Sequence, residues 1–223
     1  MKDNYTHITL VVDRSGSMAS IAHDAQGGIN QFVKDQKAEP GKATFLLADF
    51  DTEHQDVFGP DDIQKFTAYT LKPRGGTAMN DAIGKAVVRT GEYLDAMPDA
   101  DKPGKVIVCI VTDGQENSSR EWTGDKVRAL VQEQESKYAW VFQFIGANID
   151  SKSVGGSFGI ANTAQFHSTG AAAGAVYANF STTTSNYRGA VGRGQAVYAV
   201  ASVPMSVDAD GNTVDEDGNL VSP

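Results

Sequence analysis

Three short segments carry side chains able to do chemistry together. They are Asp13-Arg14-Ser15-Gly16-Ser17-Met18, Gly75-Gly76-Thr77 and Thr112-Asp113-Gly114. Asp13 and Asp113 supply carboxylates; Ser15, Ser17 and Thr77 supply short hydroxyls. All are hard oxygen donors, the kind that hard divalent cations prefer. Two carboxylates in one crevice repel each other unless a cation neutralises them. The glycines let the backbone turn tightly around such an ion. Each segment alone is a weak signal, because Asp and Ser are common loop residues. The question is whether one fold brings the three together.

The elements that would position them follow from the apolar pattern. Residues 7–12 (HITLVV) form an apolar run ending at Asp13 and predict a strand buried on both faces. Ile21, Ala25, Ile29, Phe32 and Val33 fall at helical spacing. Residues 43–50 predict a second strand and residues 55–58 a short third. Met79, Ala82, Ile83, Ala86, Val87, Leu94 and Met97 again follow the helical period, with Thr77 or Asn80 as the N-cap. The strongest strand pattern is KVIVCIVT at 105–112. Val127, Leu130, Val131, Gln134 and Tyr138 mark a helix, followed by strands over 140–145 and 163–167. Residues 171–180 predict a last helix, and 196–203 read as a further strand. The alternation predicts an α/β fold: a doubly wound, mostly parallel six-stranded sheet with helices on both faces. Ligands of such sheets sit beyond the carboxyl ends of the strands, where strand order reverses. With the order 3-2-1-4-5-6, Asp13 and Asp113 end two neighbouring strands at that reversal.

The set Asp13-x-Ser15-x-Ser17, Gly-Gly-Thr77 and Thr-Asp113-Gly resembles the complete metal-ion-dependent adhesion site of von Willebrand factor A (vWA) domains, of the freestanding prokaryotic or phage type. The contexts SGSM at 15–18 and GGTAMNDAI at 75–83 are similar to that family as well. The resemblance runs, in element order, through roughly the first 190 residues. It implies a Rossmann-like vWA fold over residues 1–203. It also implies Mg²⁺ or Mn²⁺ held by Ser15, Ser17 and, depending on state, Thr77 or Asp113, with Asp13 acting through water. One coordination position is left for solvent or for an Asp or Glu of a protein partner. The function implied is therefore a metal-dependent adhesion or adaptor module, not an enzyme; freestanding relatives resemble adaptors for ATPase or chaperone-like machines. Arg14, between Asp13 and Ser15, stands out as a long cation beside the ion. Arg14 either clashes with the ion or meets an acidic ligand; Arg14 and Arg74 flank the site in sequence and either add charge-assisted hydrogen bonds to that ligand or are solvated.

Composition bounds the alternatives. The 223 residues carry a net charge of −9, with no basic stripe, which argues against nucleic acid. After Arg193 there is no Lys or Arg, while Asp208, Asp210, Asp215, Glu216 and Asp217 follow. Residues 204–223 thus read as an acidic tail with a small Asp-Gly-Asn repeat, two tight turns between short extended pieces, burying little. No signal peptide or membrane span is read from the sequence, so the expected location is cytoplasmic or virion-associated. The one cysteine, Cys109, reads as a small core residue, and the histidines at 7, 23, 54 and 167 lack metal spacing. There is no phosphate-binding loop, and neither serine sits in G-x-S-x-G. Asp51 reads as a solvated loop acid; Glu116 either orients water around the ion or is a plain surface residue. Two other functions compete: a metal-dependent hydrolase, and a structural protein whose metal staples loops.

Overall fold

A computed structural model of the chain describes residues 1–166, 170–201, 206–215 and 219–221. Six strands form one sheet: β1 (Lys2–Asp13), β2 (Lys42–Phe50), β3 (His54–Asp62), β4 (Pro103–Thr112), β5 (Val141–Ala147) and β6 (Asn162–Phe166). Their order is β3-β2-β1-β4-β5-β6. Every neighbouring pair is parallel except β2 and β3, which run antiparallel. The helices are α1 (Ala22–Ala38), α2 (Met79–Asp95), α3 (Gly124–Tyr138), α4 (Ser151–Ser157), α5 (Gly170–Gly189) and α6 (Gln195–Ala201).

Alternation along the central strands divides the core in two. Ile8, Leu10 and Val12 of β1 join Cys109 and Val111 of β4 beneath α1 and α5. Val11, Val106, Val108 and Ile110 face the other way, against α2 and α3. Central strands buried on both faces are what a parallel sheet between two helix layers requires. A third, smaller cluster packs Tyr187 and Tyr198 on Ile107 and Val141. The buried polar residues on β1 are paired: His7 bonds Thr44 Oγ1 through Nδ1 at 2.8 Å and Thr9 Oγ1 through Nε2 at 3.1 Å. Lys105 donates to the carbonyls of Tyr187, Arg188 and Ala190 at 2.6–2.8 Å, tying the end of α5 to the sheet.

Several boundaries differ from the sequence reading. α5 continues past residue 180, through the β-branched run Thr182-Thr183-Thr184, to Gly189. Such residues have low helix propensity, but contacts override it: Gln36 Nε2 donates to Ser181 O at 3.1 Å and Arg188 to Gln36 O at 2.6 Å. The stretch expected as a strand over 196–203 is helical as far as Ala201; Ser202 and Val203 lie outside the described residues. Tyr198 there is fully buried while Val200 is 90 % exposed, a helical rather than an alternating pattern. The strand expected over 163–167 is β6; His167 lies outside the described residues. α4, in the Gly- and Ser-rich segment SKSVGGS, has no strong sequence signal; Asp150 caps it by accepting from Ser153 N at 2.9 Å.

The tail folds back on the body. Val207 and Val214 are buried, and Val207 N donates to Gln165 O at 3.2 Å. The expectation that this segment buries little does not hold for these two valines. Turn chemistry is present, with Asp208 Oδ1 accepting from Asp210 N and Asn212 N at 3.0 and 2.9 Å. Glu216 and Asp217 lie outside the described residues.

Candidate metal centre

The register places the three segments together. Val12 of β1 lies opposite Val111 of β4, so both strands stop at the same level and release Asp13 and Asp113 side by side. After Asp13 the chain makes a 3-10 turn, Gly16–Ser20, anchored by the fully buried Met18. Gly75 adopts φ +69, a left-handed conformation that favours glycine, and its carbonyl accepts from Gly16 N at 3.1 Å. This bond joins the second segment to the first.

Four of the five predicted residues, Asp13, Ser15, Ser17 and Asp113, join one hydrogen-bonded cluster, and Thr77 lies beside it. Asp13 Oδ1 accepts from Ser15 N at 2.6 Å and Oδ2 from Thr112 Oγ1 at 2.6 Å. Ser17 Oγ donates to Asp113 Oδ1 at 2.6 Å and lies 3.1 Å from Ser15 Oγ. Thr77 joins through Gly114: a Cβ added there would meet Thr77 Oγ1 at 3.1 Å, Asp13 Oδ2 at 3.5 Å and Ser17 Oγ at 3.6 Å. Oxygens from all three segments therefore surround a space that any other residue at 114 would fill. Asp13, Ser15 and Thr77 are buried, while Ser17 is exposed, so the cluster opens to solvent on one side. Thr112 was not anticipated as a partner of Asp13; its place as the last residue of the strongest strand pattern is the signal that would have found it.

Electrostatics favours a cation here. Burial pushes the Asp13 carboxyl above its ordinary value, and the bonds from Thr112 and Ser15 only partly offset this. Burial raises Asp113 as well. The donor set fits a hard ion: octahedral Mg²⁺ holds adjacent oxygens about 3 Å apart, near the Ser15–Ser17 oxygen separation of 3.1 Å. Among the described residues, no three His, Cys, Asp or Glu side chains gather as a metal-binding group. The cluster instead combines two carboxylates with hydroxyls.

The residues around the cluster depart from expectation. Arg14 does not face an incoming ligand. It is buried, with Nε 3.3 Å from Asp49 Oδ1 and Nη2 3.3 Å from Asp51 Oδ2. Arg74 also turns to Asp51, donating from Nε to Oδ2 at 2.6 Å. Asp51, read as solvated, is 1 % exposed and accepts from Glu53 N at 2.8 Å. Burial alone would raise its carboxyl; the Glu53 amide, Arg74 and Arg14 outweigh that and hold it below the ordinary range. Glu116 is neither a surface acid nor a water-orienting group. Its oxygens accept from Asn80 N, Ser118 N, Ser119 N and Ser119 Oγ at 2.7–2.9 Å. Thus Glu116 satisfies the start of α2, and neither Thr77 nor Asn80 caps it; the cap position is Ala78, without a side-chain bond. Asp81 returns the contact, accepting from the amides of Arg120, Glu121 and Trp122 at 2.7–2.9 Å. These reciprocal bonds fix residues 116–122 beside Thr77, whose amide donates to Asn117 Oδ1 at 2.9 Å.

No protein-family model and no curated protein matches the sequence. Solved structures do match in shape. Proximal thread matrix protein 1 of the mussel byssus superposes with a TM-score of 0.56 at 18 % identity, over 81 % of this chain and 46 % of that one. A von Willebrand factor type A protein from Catenulispora acidiphila gives 0.55 at 16 % identity, over 81 % and 43 %. The chain thus spans less than half the length of either. With the strand order and the single antiparallel edge pair, these matches identify the fold as that of the von Willebrand factor A domains.

Proposed function

We propose that the chain is a divalent-cation-dependent protein-binding module. Its ion, Mg²⁺ or Mn²⁺, would be held by Ser15, Ser17 and Thr77 together with Asp13 and Asp113. The observation that carries this reading is the convergence of oxygens from all three segments on the space above Gly114, open at Ser17. When bound, the ion supplies an electrophilic centre able to accept a further anionic oxygen. With neutral hydroxyls as its close donors and the Asp13 and Asp113 carboxylates sharing the neutralisation, the ion would keep an open position on the exposed Ser17 side, and a partner's Asp or Glu is the matching group. Asp13 is held in one orientation by Ser15 N and Thr112 Oγ1, so it does not have to reorganise when an ion arrives.

A binding role suits the site better than hydrolysis. Water activation calls for a free base beside the ion. Glu116 and Asp51, two further carboxylates of these loops, have their oxygens engaged by backbone amides, a serine hydroxyl and arginines, and the exposed Glu53 faces Arg74 at 3.7 Å. The partner is a protein offering a carboxylate, with ATPase or chaperone-like machines as the first candidates. Among the described residues no helix is long and apolar enough to cross a membrane.

Calorimetry with Mg²⁺ and Mn²⁺ tests the proposal. The native chain should bind one ion, and Ser17→Ala and Asp13→Ala should each lose that heat while near-UV circular dichroism reports an intact fold. Capture of a partner from the native host should then need the metal and stop in EDTA. Unchanged ion affinity in both variants would sink the proposal.

A further inference from the structure

A well-formed cavity lies far from these loops. It occupies the opposite pole of the sheet, where β4 and β5 begin and α2 and α3 end, and measures about 460 Å³. That volume is in the range of small-molecule pockets. Leu94, Val106 and Trp140 form an apolar floor, each at most 7 % exposed. Gly91, on the last turns of α2, opens the space: apart from its own stretch of helix, nothing lies within 4 Å of the position its Cβ would take.

The charges around the rim are not equivalent. Lys102 is taken by Asp99 at 2.9 Å and Asp95 at 3.6 Å, and Lys137 by Glu133 at 2.7 Å. Arg193 has no carboxylate partner among the described residues; its guanidinium meets only the thioether sulfur of Met1. Sulfur is a weak acceptor, so most of the five N–H donors stay open. The segment that carries Arg193 is pinned, with Gly194 N donating to Tyr187 Oη at 2.8 Å. The carbonyls ending α2 and α3 are engaged by the amides of Ala96, Met97, Ala139 and Trp140. Arg193 is therefore the rim cation whose donors stay open to a ligand, whereas the Asp95 and Asp99 carboxylates of the rim share Lys102. A neutral ligand would strip water from the guanidinium without replacing its hydrogen bonds.

We propose that this cavity binds a small amphipathic anion: an aryl or alkyl body of about 20 non-hydrogen atoms on the Leu94–Val106–Trp140 floor, with one carboxylate or sulfonate on Arg193. The site is separate from the metal centre, and its test is run in EDTA so that the two readings fail independently. The probes are anilinonaphthalene sulfonate, its uncharged analogue N-phenyl-1-naphthylamine, and decanoate as competitor. Saturable, one-site fluorescence of the sulfonate dye, displaced by decanoate, is expected. Gly91→Leu places a side chain in open space, adds helix propensity, and should weaken both dyes at least tenfold with an unchanged melting temperature. Arg193→Gln should weaken the sulfonate dye about tenfold and leave the neutral dye as it was. The proposal is overturned by any of three results: no saturable binding, dye binding indifferent to Gly91→Leu, or equal response of the two dyes to Arg193→Gln.

Discussion

A methyl group at position 114 would stand 3.1 Å from Thr77 Oγ1 and 3.5 Å from Asp13 Oδ2. Gly114 is not among the positive-φ glycines, so alanine meets no backbone strain there. Gly114→Ala should therefore fold normally yet lower Mn²⁺ affinity at least tenfold, as the methyl takes the space between the donors; calorimetry beside a melting curve checks both halves. Arg14 and Asp51 pose a different problem, since their side chains meet out of water at 8 % and 2 % exposure. Removing Asp51 leaves Arg14 with Asp49 alone and strips the acceptor from Arg74 and the Glu53 amide, a loss of about 2 kcal/mol. Asp51→Ala should lose stability on that scale in urea titrations, Arg14→Met should lose at least as much because it strips Asp49 too, and the double variant should lose less than the sum. A fully additive double variant would show that the two do not act as a pair. Asp13, Ser15, Ser17 and Asp113 were legible in the sequence because short polar residues follow apolar runs, and Thr77 because it precedes an amphipathic helix. The fates of Arg14, Arg74 and Asp51 were not, because they depend on how the end of β2 meets two other loops.

At the scale of elements, strongly apolar strands and amphipathic helices were readable, as with Val106 to Val111 or Met79 to Val87. What escaped was any segment whose conformation is decided by its neighbours. α5 runs through three consecutive threonines because Thr183 and Thr184 are buried against the body. α6 is helical because Tyr198 packs on Tyr187, with ring centroids 5.3 Å apart, and Val197 packs partly buried against the same cluster. The start of α2 carries no cap of its own, since Glu116, more than thirty residues on, reaches its amides. The acidic tail belongs to this class too. Val207 at 3 % and Val214 at 8 % exposure bury apolar surface that composition alone did not assign. Deleting residues 206–223 should therefore cost about 2–3 kcal/mol and lower the melting temperature by roughly 5–10 °C. A truncated chain melting within a degree or two of the full one would show that these contacts add nothing.

The whole molecule has two poles, and the buried interior between them responds to pH. The cluster of Asp13, Ser17 and Thr77 oxygens gathers where the strands end, and the cavity lies where they begin. Between them, His7 sits fully buried in β1, hydrogen-bonded to threonines and 5.4 Å from the Tyr93 ring. Burial lowers its imidazole from 6.5 to about 3. Between those two values the unfolded chain carries a proton at His7 that the folded chain does not. The unfolded state therefore binds more protons in that window, and stability falls as pH falls. The contribution is whole above 6.5 and fades as pH drops from there toward 3. Asp13, Asp49 and Asp113 act in the opposite sense, because burial raises their carboxyls and the folded chain takes up their protons first. The histidine is isolated by comparison with His7→Gln, whose amide can still bridge Thr9 and Thr44 without gaining a charge. Between about pH 7.5 and pH 5, urea unfolding of the native chain should lose about 2 kcal/mol more than that of the variant. Parallel losses in the two proteins would mean that His7 keeps its proton in the fold and that the polar cluster around β1 is wetter than its burial indicates.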